Sequence, residues 1–526
     1  MLGMFIASTA LVGQNLFARI YEASSVGKYR WSIAETADRG FMVAGPTPAF
    51  GLSQLDFIMF RLNSAGIPMW VKSYSYGAEF DDVIYPSSMI RLSSGGYVLA
   101  GWADFDPSAW DYLVVKTDES GVVQWAKRCR GPGYDVPFSI TETPDGGVAV
   151  SGYTKLPGGN EDFLIIKLDR DGAPVWVTGF GGDGSDIAYS STMLGGGELI
   201  VAGTTNSFGA GGYDAMVISL DPNTGQFLWG ITIGWNGDEM GSPDWLNKVC
   251  AITCQAGAHL ILAGGTTSFG SGGNPWDIFL LKFDPGGGVV WSRVIGGFGN
   301  EAAYSVAWDG GNAFLVCGYT ESAFASGKDV FVSKLLDVEG ELLWTKTFGG
   351  GDDDFAEQVI ATSDAGCAIV GTARSYGMPN QMDLLVMKLK GDGEYPGCVS
   401  DWAPTRLDIP PQVAMLEDRS ISVPCEVRDT IIIVMDVSPR SLDACQPLYE
   451  WVDESGSSAP RGDVVVCPVS EGLVFLSPKS LPITLYSVDG QVVLSDNLRK
   501  GETLMRLKRG VYLWQAGPYR GKAVVR

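Results

Sequence analysis

SITETPDGGVAVSGYTKLPGGNEDFLIIKLDRDGAPVWVTGFGG, residues 139–182, is the stretch that decides the fold. Its Asp145-Gly146-Gly147 predicts a hairpin turn, because glycine adopts positive φ without steric cost. The run 163–166 is continuously apolar, which indicates a strand covered on both faces. A short strand covered on both faces, set among Gly-rich turns, is typical of small sheets stacked against one another.

The same unit recurs along the chain, with a tryptophan four positions after a glycine. These tryptophans are Trp70, Trp125, Trp176, Trp229, Trp291 and Trp344. Seven turn-and-strand segments can be counted: RGFMVAG, GGYVLAG, GGVAVSG, GGELIVAG, GAHLILAG, GNAFLVCG and AGCAIVG. A repeat of this length predicts an all-β, seven-bladed β-propeller. The units resemble the Gly/Asp/Trp-rich β-propeller repeats of secreted bacterial proteins, over residues 16–390.

The two ends of the repeat region predict how the ring closes. Residues 16–21, LFARIY, are similar to the tryptophan-bearing fourth strand of a unit, and residues 383–390 are similar to a third strand. The N-terminal strand is therefore expected to complete the last blade, which removes the open sheet edges between first and last blade.

Composition narrows the class of function. The chain has 526 residues, 70 of them Gly, is 45% hydrophobic and carries a formal net charge of −23. Such a chain folds, and its charge repels nucleic acid and anionic lipid. We find no apolar run of the ~20 residues that a membrane helix needs, so no transmembrane segment is expected. Residues 1–14 predict a signal peptide, with a disordered extension as the alternative.

The last stretch of the chain has a different pattern. Strand, Asp489-Gly490 turn and strand form a predicted hairpin, Gly510-Val511-Tyr512 opens another strand, and Lys522 begins the terminal KAVVR. A small Ig-like β-sandwich is predicted for residues 469–526. These residues resemble the C-terminal sorting domain of type IX secretion substrates. The resemblance implies secretion machinery as a partner and a secreted or outer-membrane surface location; an ordinary stalk module is the alternative.

Residues 15–397 are thus predicted as the propeller and residues 398–468 as a connector. The connector region holds Cys398, Cys425, Cys445 and Cys467. Four cysteines allow three pairings, and the sequence does not choose among them.

The loops that cross from blade to blade offer one candidate metal site. They place an acidic residue at nearly equivalent positions: Asp82, Asp135, Asp186, Glu301 and Asp354. A ring of carboxylates suits a hard cation such as calcium. The alternative is that each carboxylate caps the backbone amides of its own loop.

The largest departure from the repeat is the insertion GWNGDEMGSPDWLNKV, residues 234–249. Its candidate ligand-binding residues are Trp235, Asp238, Glu239, Asp244 and Trp245. Trp102, Trp110 and Trp276 lie on other loops of the same predicted face. Exposed indole rings beside carboxylates are suited to sugar or peptide recognition; the alternative is that these rings fill gaps between blades.

The pattern as a whole predicts an exported binding or interaction scaffold, with a glycan or protein ligand, no catalytic residues and no resident cofactor unless calcium binds. His259, in AHLILAG, is expected to be structural. One alternative is a secreted propeller enzyme acting on polysaccharide through paired carboxylates. Another is a quinoprotein dehydrogenase, because SLDPNTGQFLW, residues 219–229, resembles the tryptophan-docking repeats of that family.

Overall fold

The computed structural model describes residues 16–394 apart from 26–29, 48–55, 76–83, 107–108, 132, 156–158, 210–211, 235–237, 239–250, 256–258, 269–275, 324–326 and 376–381. From residue 400 onward it describes the backbone of the strands, and all side chains discussed below precede residue 395. Contacts divide the chain into two units, Met1–Cys445 and Gln446–Arg526. The described residues contain no helix long and apolar enough to cross a membrane.

The first unit confirms the predicted seven-bladed all-β propeller. Each blade is a sheet of antiparallel strands that follow one another in the chain. The first strands of the blades are β2 Ser32–Glu35, β6 Ile84–Arg91, β10 Tyr134–Glu142, β14 Asp186–Met193, β18 Ala251–Gln255, β22 Glu301–Trp308 and β26 Asp354–Ala361. The second strands are β3 Phe41–Thr47, β7 Tyr97–Asp106, β11 Val148–Lys155, β15 Leu199–Thr205, β19 His259–Thr266, β23 Ala313–Thr320 and β27 Cys367–Ala373.

The third strands form the centre of each blade. They are β4 Asp56–Leu62, β8 Ala109–Thr117, β12 Glu161–Leu168, β16 Asp214–Leu220, β20 Asp277–Phe283, β24 Asp329–Leu336 and β28 Met382–Leu389. Every residue of β16 and of β20 is buried, because the neighbouring blades cover both faces. This is the physical reason for the continuously apolar runs in the sequence.

The fourth strands are β5 Pro68–Ser75, β9 Val123–Arg130, β13 Pro174–Phe180, β17 Phe227–Gly234, β21 Val289–Gly296 and β25 Leu342–Phe348, and β1 Phe17–Ser25 fills this place in the last blade. β1 pairs with β28, with Phe17 opposite Lys388. The predicted closure of the ring by the N-terminal strand is therefore confirmed.

The repeated glycine and tryptophan meet across blades and not within one. Gly225 has φ +70°, and a Cβ there would come within 2.7 Å of the Trp176 ring of the preceding blade. The Trp176 indole N–H donates to the Pro222 carbonyl at 3.0 Å in the same turn. At the closing seam, Phe17 takes the tryptophan's place against Gly66. The motif persists because each blade supplies the surface on which the next one docks.

A fifth strand lies outside each of the seven blades, and all of these strands come from residues 400–443, which we call the belt. In chain order they are β29 Ser400–Asp401, β30 Thr405–Asp408, β31 Gln412–Met415, β32 Ser420–Ile421, β33 Glu426–Asp429, β34 Ile433–Asp436 and β35 Ser441–Asp443. They pair in turn with β25, β21, β17, β13, β9, β5 and β1. The belt thus passes once around the ring, against the order of the blades, through the region predicted as a connector.

The second unit contains two sheets. One has the order β36 Val465–Val469, β37 Gly472–Ser477 and β40 Gly501–Arg506. The other has the order β39 Val492–Leu498, β38 Leu481–Ser487, β41 Gly510–Ala516 and β42 Tyr519–Val525. The predicted sandwich packing of these sheets stays a prediction.

Candidate functional site

The first strands of the blades surround the propeller axis and are bonded to one another through side chains at one repeat position. In four of the blades, a hydroxyl or amide oxygen at this position accepts a hydrogen bond from a backbone N–H of the next blade. The four bonds of this kind that the structure describes join Ser139 to Ser191 N (3.1 Å), Ser190 to Ile252 N (3.2 Å), Ser305 to Val359 N (3.2 Å) and Gln358 to Ile33 N (2.7 Å). The serines at this repeat position therefore link neighbouring blades around the axis.

A β-bulge precedes this position in five blades. The register skips one residue at Ser87, Phe138, Tyr189, Tyr304 and Glu357. A bulge re-aims a side chain by breaking the alternation of the strand. The Phe138 and Tyr189 rings, from adjacent blades, come within 5.0 Å of each other.

A cavity of about 200 Å³ lies on the axis, and all seven first strands or the residues just before them contribute to its wall. Arg30 and Trp31 enter it from the first blade, and Glu357 enters from the last. Arg30 is the only cationic side chain and Glu357 the only carboxylate among the described residues that line it.

Aromatic rings hold the Arg30 side chain in this wall. The guanidinium carbon lies 4.7 Å from the Phe138 ring centroid and 5.9 Å from that of Tyr189. Burial lowers the pKa of Arg30 to about 10, and nearby Tyr189 and Glu357 oppose that shift. Arg30 stays charged at neutral pH, deep in the protein and with some surface open to the cavity.

Glu357 joins the last blade to the first. Its carboxylate accepts a hydrogen bond from Trp31 N and one from the Thr372 hydroxyl at 3.4 Å. Burial raises the pKa of Glu357 to about 8, against the opposing effects of the Trp31 N–H and of Arg30. Glu357 therefore holds its proton through most of the neutral range.

The crossing-loop carboxylates lie at the starts of the first strands and accept hydrogen bonds from backbone N–H groups of nearby loop residues. Asp135 accepts from Gly131 N at 2.6 Å, Asp186 from Gly182 N at 2.8 Å, and Glu301 from Gly297 N at 2.9 Å. Asp354 accepts from Arg374 N at 2.8 Å. Among the residues that the structure describes, no three acidic, Cys or His side chains cluster as a metal site would require. Asp82 lies outside the described residues.

Two of these carboxylates, Asp135 and Asp186, interact with a second acid from the neighbouring blade. Burial raises the pKa of Asp135 to about 7, and the carboxylate of Asp111 adds to the shift. Burial likewise raises the pKa of Asp162 to about 6, with Asp186 contributing. The four described carboxylates thus cap backbone amides at the blade junctions, and calcium binding by the ring stays a prediction.

The insertion of residues 234–249 lies almost wholly outside the described residues, including Trp235, Glu239, Asp244 and Trp245. Asp238 is described: its carboxylate accepts from Tyr213 N at 2.9 Å and its carbonyl accepts from Thr267 N at 2.9 Å. The corresponding carbonyl bond in the sixth blade comes from Asn300, directly before Glu301. Glu239, directly after Asp238, thus has the sequence position of the crossing-loop acids.

A cluster of aromatic rings lies at the junction of the second and third blades, which we call the aromatic platform: Trp102, Trp110 and Tyr134. The two indole rings stack at 4.4 Å and 27°, and Tyr134 meets Trp110 edge-on at 5.0 Å. Tyr134 is 39% exposed. The structure therefore places the Trp102 and Trp110 rings in direct contact, which their positions in the sequence did not predict.

The platform lies on the upper face, defined as the face that carries the blade-crossing loops and the loops between second and third strands. Trp276 lies on the same face but three blades away, at the start of β20 in the fifth blade. Its backbone N–H donates to the Asn300 side chain at 3.0 Å and its carbonyl accepts from Glu301 N at 2.6 Å. Trp276 is thus part of a blade junction separate from the platform.

In the second unit, Gly510, Val511 and Tyr512 begin β41, and Lys522 lies in β42 opposite Leu513. Asp489 and Gly490 lie outside the described residues. The predicted role in sorting stays a prediction.

Comparisons with known proteins give only distant likenesses. No family model matches the chain, and no curated protein matches it. Among solved structures, the Pan2 WD40 domain of Neurospora crassa is 12% identical, with a TM-score of 0.44 over 72% of this chain and 96% of that one. The quinohemoprotein alcohol dehydrogenase of Comamonas testosteroni is 11% identical, with a TM-score of 0.40 over 72% and 77%. An α-L-arabinanase of Penicillium chrysogenum is 10% identical, with a TM-score of 0.36 over 58% and 93%. Likenesses this distant carry no argument about ligand or activity.

Sequence reasoning missed Tyr134, Arg30 and Glu357. Glu357 had a visible signal, because aligning the first strands places it where Phe138, Tyr189 and Tyr304 stand in other blades. Arg30 precedes the first strand, and the other blades have no cation at the equivalent position, so no pattern marked it.

Proposed function

We propose that this chain is an exported binding protein that holds a carbohydrate-bearing ligand on the upper face of its propeller. The observation that carries the proposal is the aromatic platform, in which two stacked indoles and a part-exposed phenol lie together on a rigid rim. Aromatic faces stack on the apolar faces of sugar rings, and rims of rigid scaffolds are where loops present binding residues. Export rests on the leader-like residues 1–14 and on the resemblance of the last strands to a sorting domain.

The belt argues against ligand binding along the outer sheet edges, which favours the upper face as the binding surface. It pairs with the outer strand of every blade, so those stretches of sheet edge are not open to an added strand from a partner. The axial cavity favours binding over glycoside hydrolysis, because Glu357 is the one carboxyl group in its described wall, whereas that reaction needs two carboxylates across the substrate.

A glycan array probed with the purified full chain tests the proposal. We expect selective binding that Trp110→Ala reduces at least tenfold, because truncation removes the central ring of the platform. Trp308→Ala is the matched control: Trp308 ends the first strand of the sixth blade at the opposite face, where its indole N–H donates to Gly311 O at 3.1 Å. Binding that survives Trp110→Ala unchanged would assign the platform to packing between blades.

Repeating the array with calcium and with a chelator tests whether the crossing-loop carboxylates bind calcium or only cap backbone amides. Binding that is equal in both conditions fits loop-capping carboxylates. Binding lost with the chelator would restore the calcium ring at Asp135 and its equivalents as part of the site.

A further inference from the structure

We propose that the axial cavity is a second binding site, separate from the aromatic platform, for a small organic carboxylate that pairs with Arg30. The cavity of about 200 Å³ has a closed circumference, since all seven blades form its wall. A cavity of ~150 Å³ accommodates benzene in another protein. The space here therefore fits a six-membered ring that carries one carboxylate.

The placement of charge selects an anion. The chain has a net charge of −23, yet the one charged donor in the described wall is the Arg30 guanidinium. A planar guanidinium presents parallel N–H donors that match a carboxylate. Because the site is partly desolvated, the attraction is stronger than at an exposed arginine.

Glu357 does not cancel this charge at neutral pH. Its pKa of about 8, raised by burial, keeps it protonated, so the cavity carries a net positive charge near pH 7. The other ionisable groups that face Arg30 are the phenols of Tyr189 and Tyr304, which are uncharged when protonated. Ionisation of Glu357 above pH 8 places a competing carboxylate beside Arg30.

The rest of the wall suits a planar ligand. Trp31 and Tyr304 line the cavity together with Arg30, and their rings can contact a flat ligand. Ser190 and Ser305 each accept a backbone N–H, and accepting that bond leaves each hydroxyl its own proton to donate. Stacking, hydroxyl donors and one guanidinium together describe an aromatic or cyclic monocarboxylate.

Calorimetric titration of the full chain with benzoate and with benzamide tests the proposal. We expect benzoate to bind, benzamide to bind at least tenfold more weakly, and benzoate affinity to fall as pH rises from 7 to 9. Arg30→Gln should abolish the preference for benzoate. Arg91→Gln is the control, because Arg91 pairs with Glu119 at 2.8 Å on an exposed surface outside the cavity.

Two results would overturn the proposal: wild-type protein that binds benzoate no better than benzamide, and Arg30→Gln that retains the preference. The wild-type comparison and its pH dependence need no variant, so they decide the matter even if Arg30→Gln does not fold. Trp110→Ala should leave benzoate binding unchanged, which separates this site from the proposed glycan platform.

Discussion

The blades and the belt contribute strands to the same seven sheets, yet only the blade strands could be predicted from the sequence. A blade strand such as β12 has eight residues and six consecutive buried positions. A belt strand has two to four residues. Burial on both faces requires apolar side chains along a blade strand, which gives an apolar run in the sequence. A belt strand is held mainly by backbone hydrogen bonds to the edge of a blade, which require no particular side chains.

The difference shows which interactions leave a recognisable pattern of residue types in a sequence. Side-chain packing constrains residue type at every position, so the repeat of Gly and Trp records the docking of blade on blade. Backbone pairing along an edge accepts almost any residue except proline at a bonded position. Residues 398–468 consequently read as a connector, although their first two thirds close the rim of the propeller.

Removing the belt should have the largest effect on the molecule. A chain ending at residue 394 exposes the upper part of the outer strands, and we expect it to self-associate and to melt about 10 °C lower or more. The matched control ends at Cys445, which keeps the belt and removes only the second unit. Light scattering and calorimetry measure both changes; equal behaviour of the two truncated chains would show that the belt does not stabilise the ring.

Within one blade, a core position should far outweigh an exposed position on the outer strand. Phe163→Ala removes a fully buried ring and should lower the free energy of unfolding by about 3–5 kcal/mol. Val175→Ala, where the side chain is 49% exposed, should change it by less than about 0.5 kcal/mol. Denaturant titration compares them, and similar losses would contradict the blade boundaries.

A smaller, pH-dependent effect should arise at the junction of the second and third blades. The folded pKa of Asp135 is about 7, above its ordinary 3.8, so the stability it contributes is present in acid and is lost as pH rises between these values. Asp135→Asn removes that dependence while keeping an acceptor for Gly131 N. Relative to wild type, the variant should gain about 1–3 kcal/mol on going from pH 5 to pH 8.

The matched control for this test is Asp171→Asn, an exposed carboxylate in a hairpin of the third blade. It should follow the wild-type pH profile. Asp135→Asn that does so as well would mean that Asp135 is ionised in the folded protein at pH 5.

The sequence predicted the blade number, the closing strand and the buried third strands, since each leaves a repeating apolar or glycine signal. It could not predict the platform, because Tyr134 comes from a different blade and its approach to Trp110 depends on how blades dock. The crossing-loop acids could be identified from the sequence. Capping and metal binding could not be distinguished there, because they differ only in where the carboxylate oxygens point. Arg30 and Glu357 lie in the wall of one cavity only because the ring closes, since they are 327 positions apart in the chain.

Hydrogen exchange on the fourth strands tests the central claim, that the belt pairs with the outer strand of each blade and closes the rim of the propeller. Residues 231–234 of β17 and 293–296 of β21 pair with the belt. Those of their amides that point to the belt should be protected in the full chain and in the chain ending at Cys445, and should exchange faster in the chain ending at residue 394, while β16 and β20 stay protected in all three. Equal exchange of these outer residues with and without the belt would contradict the account.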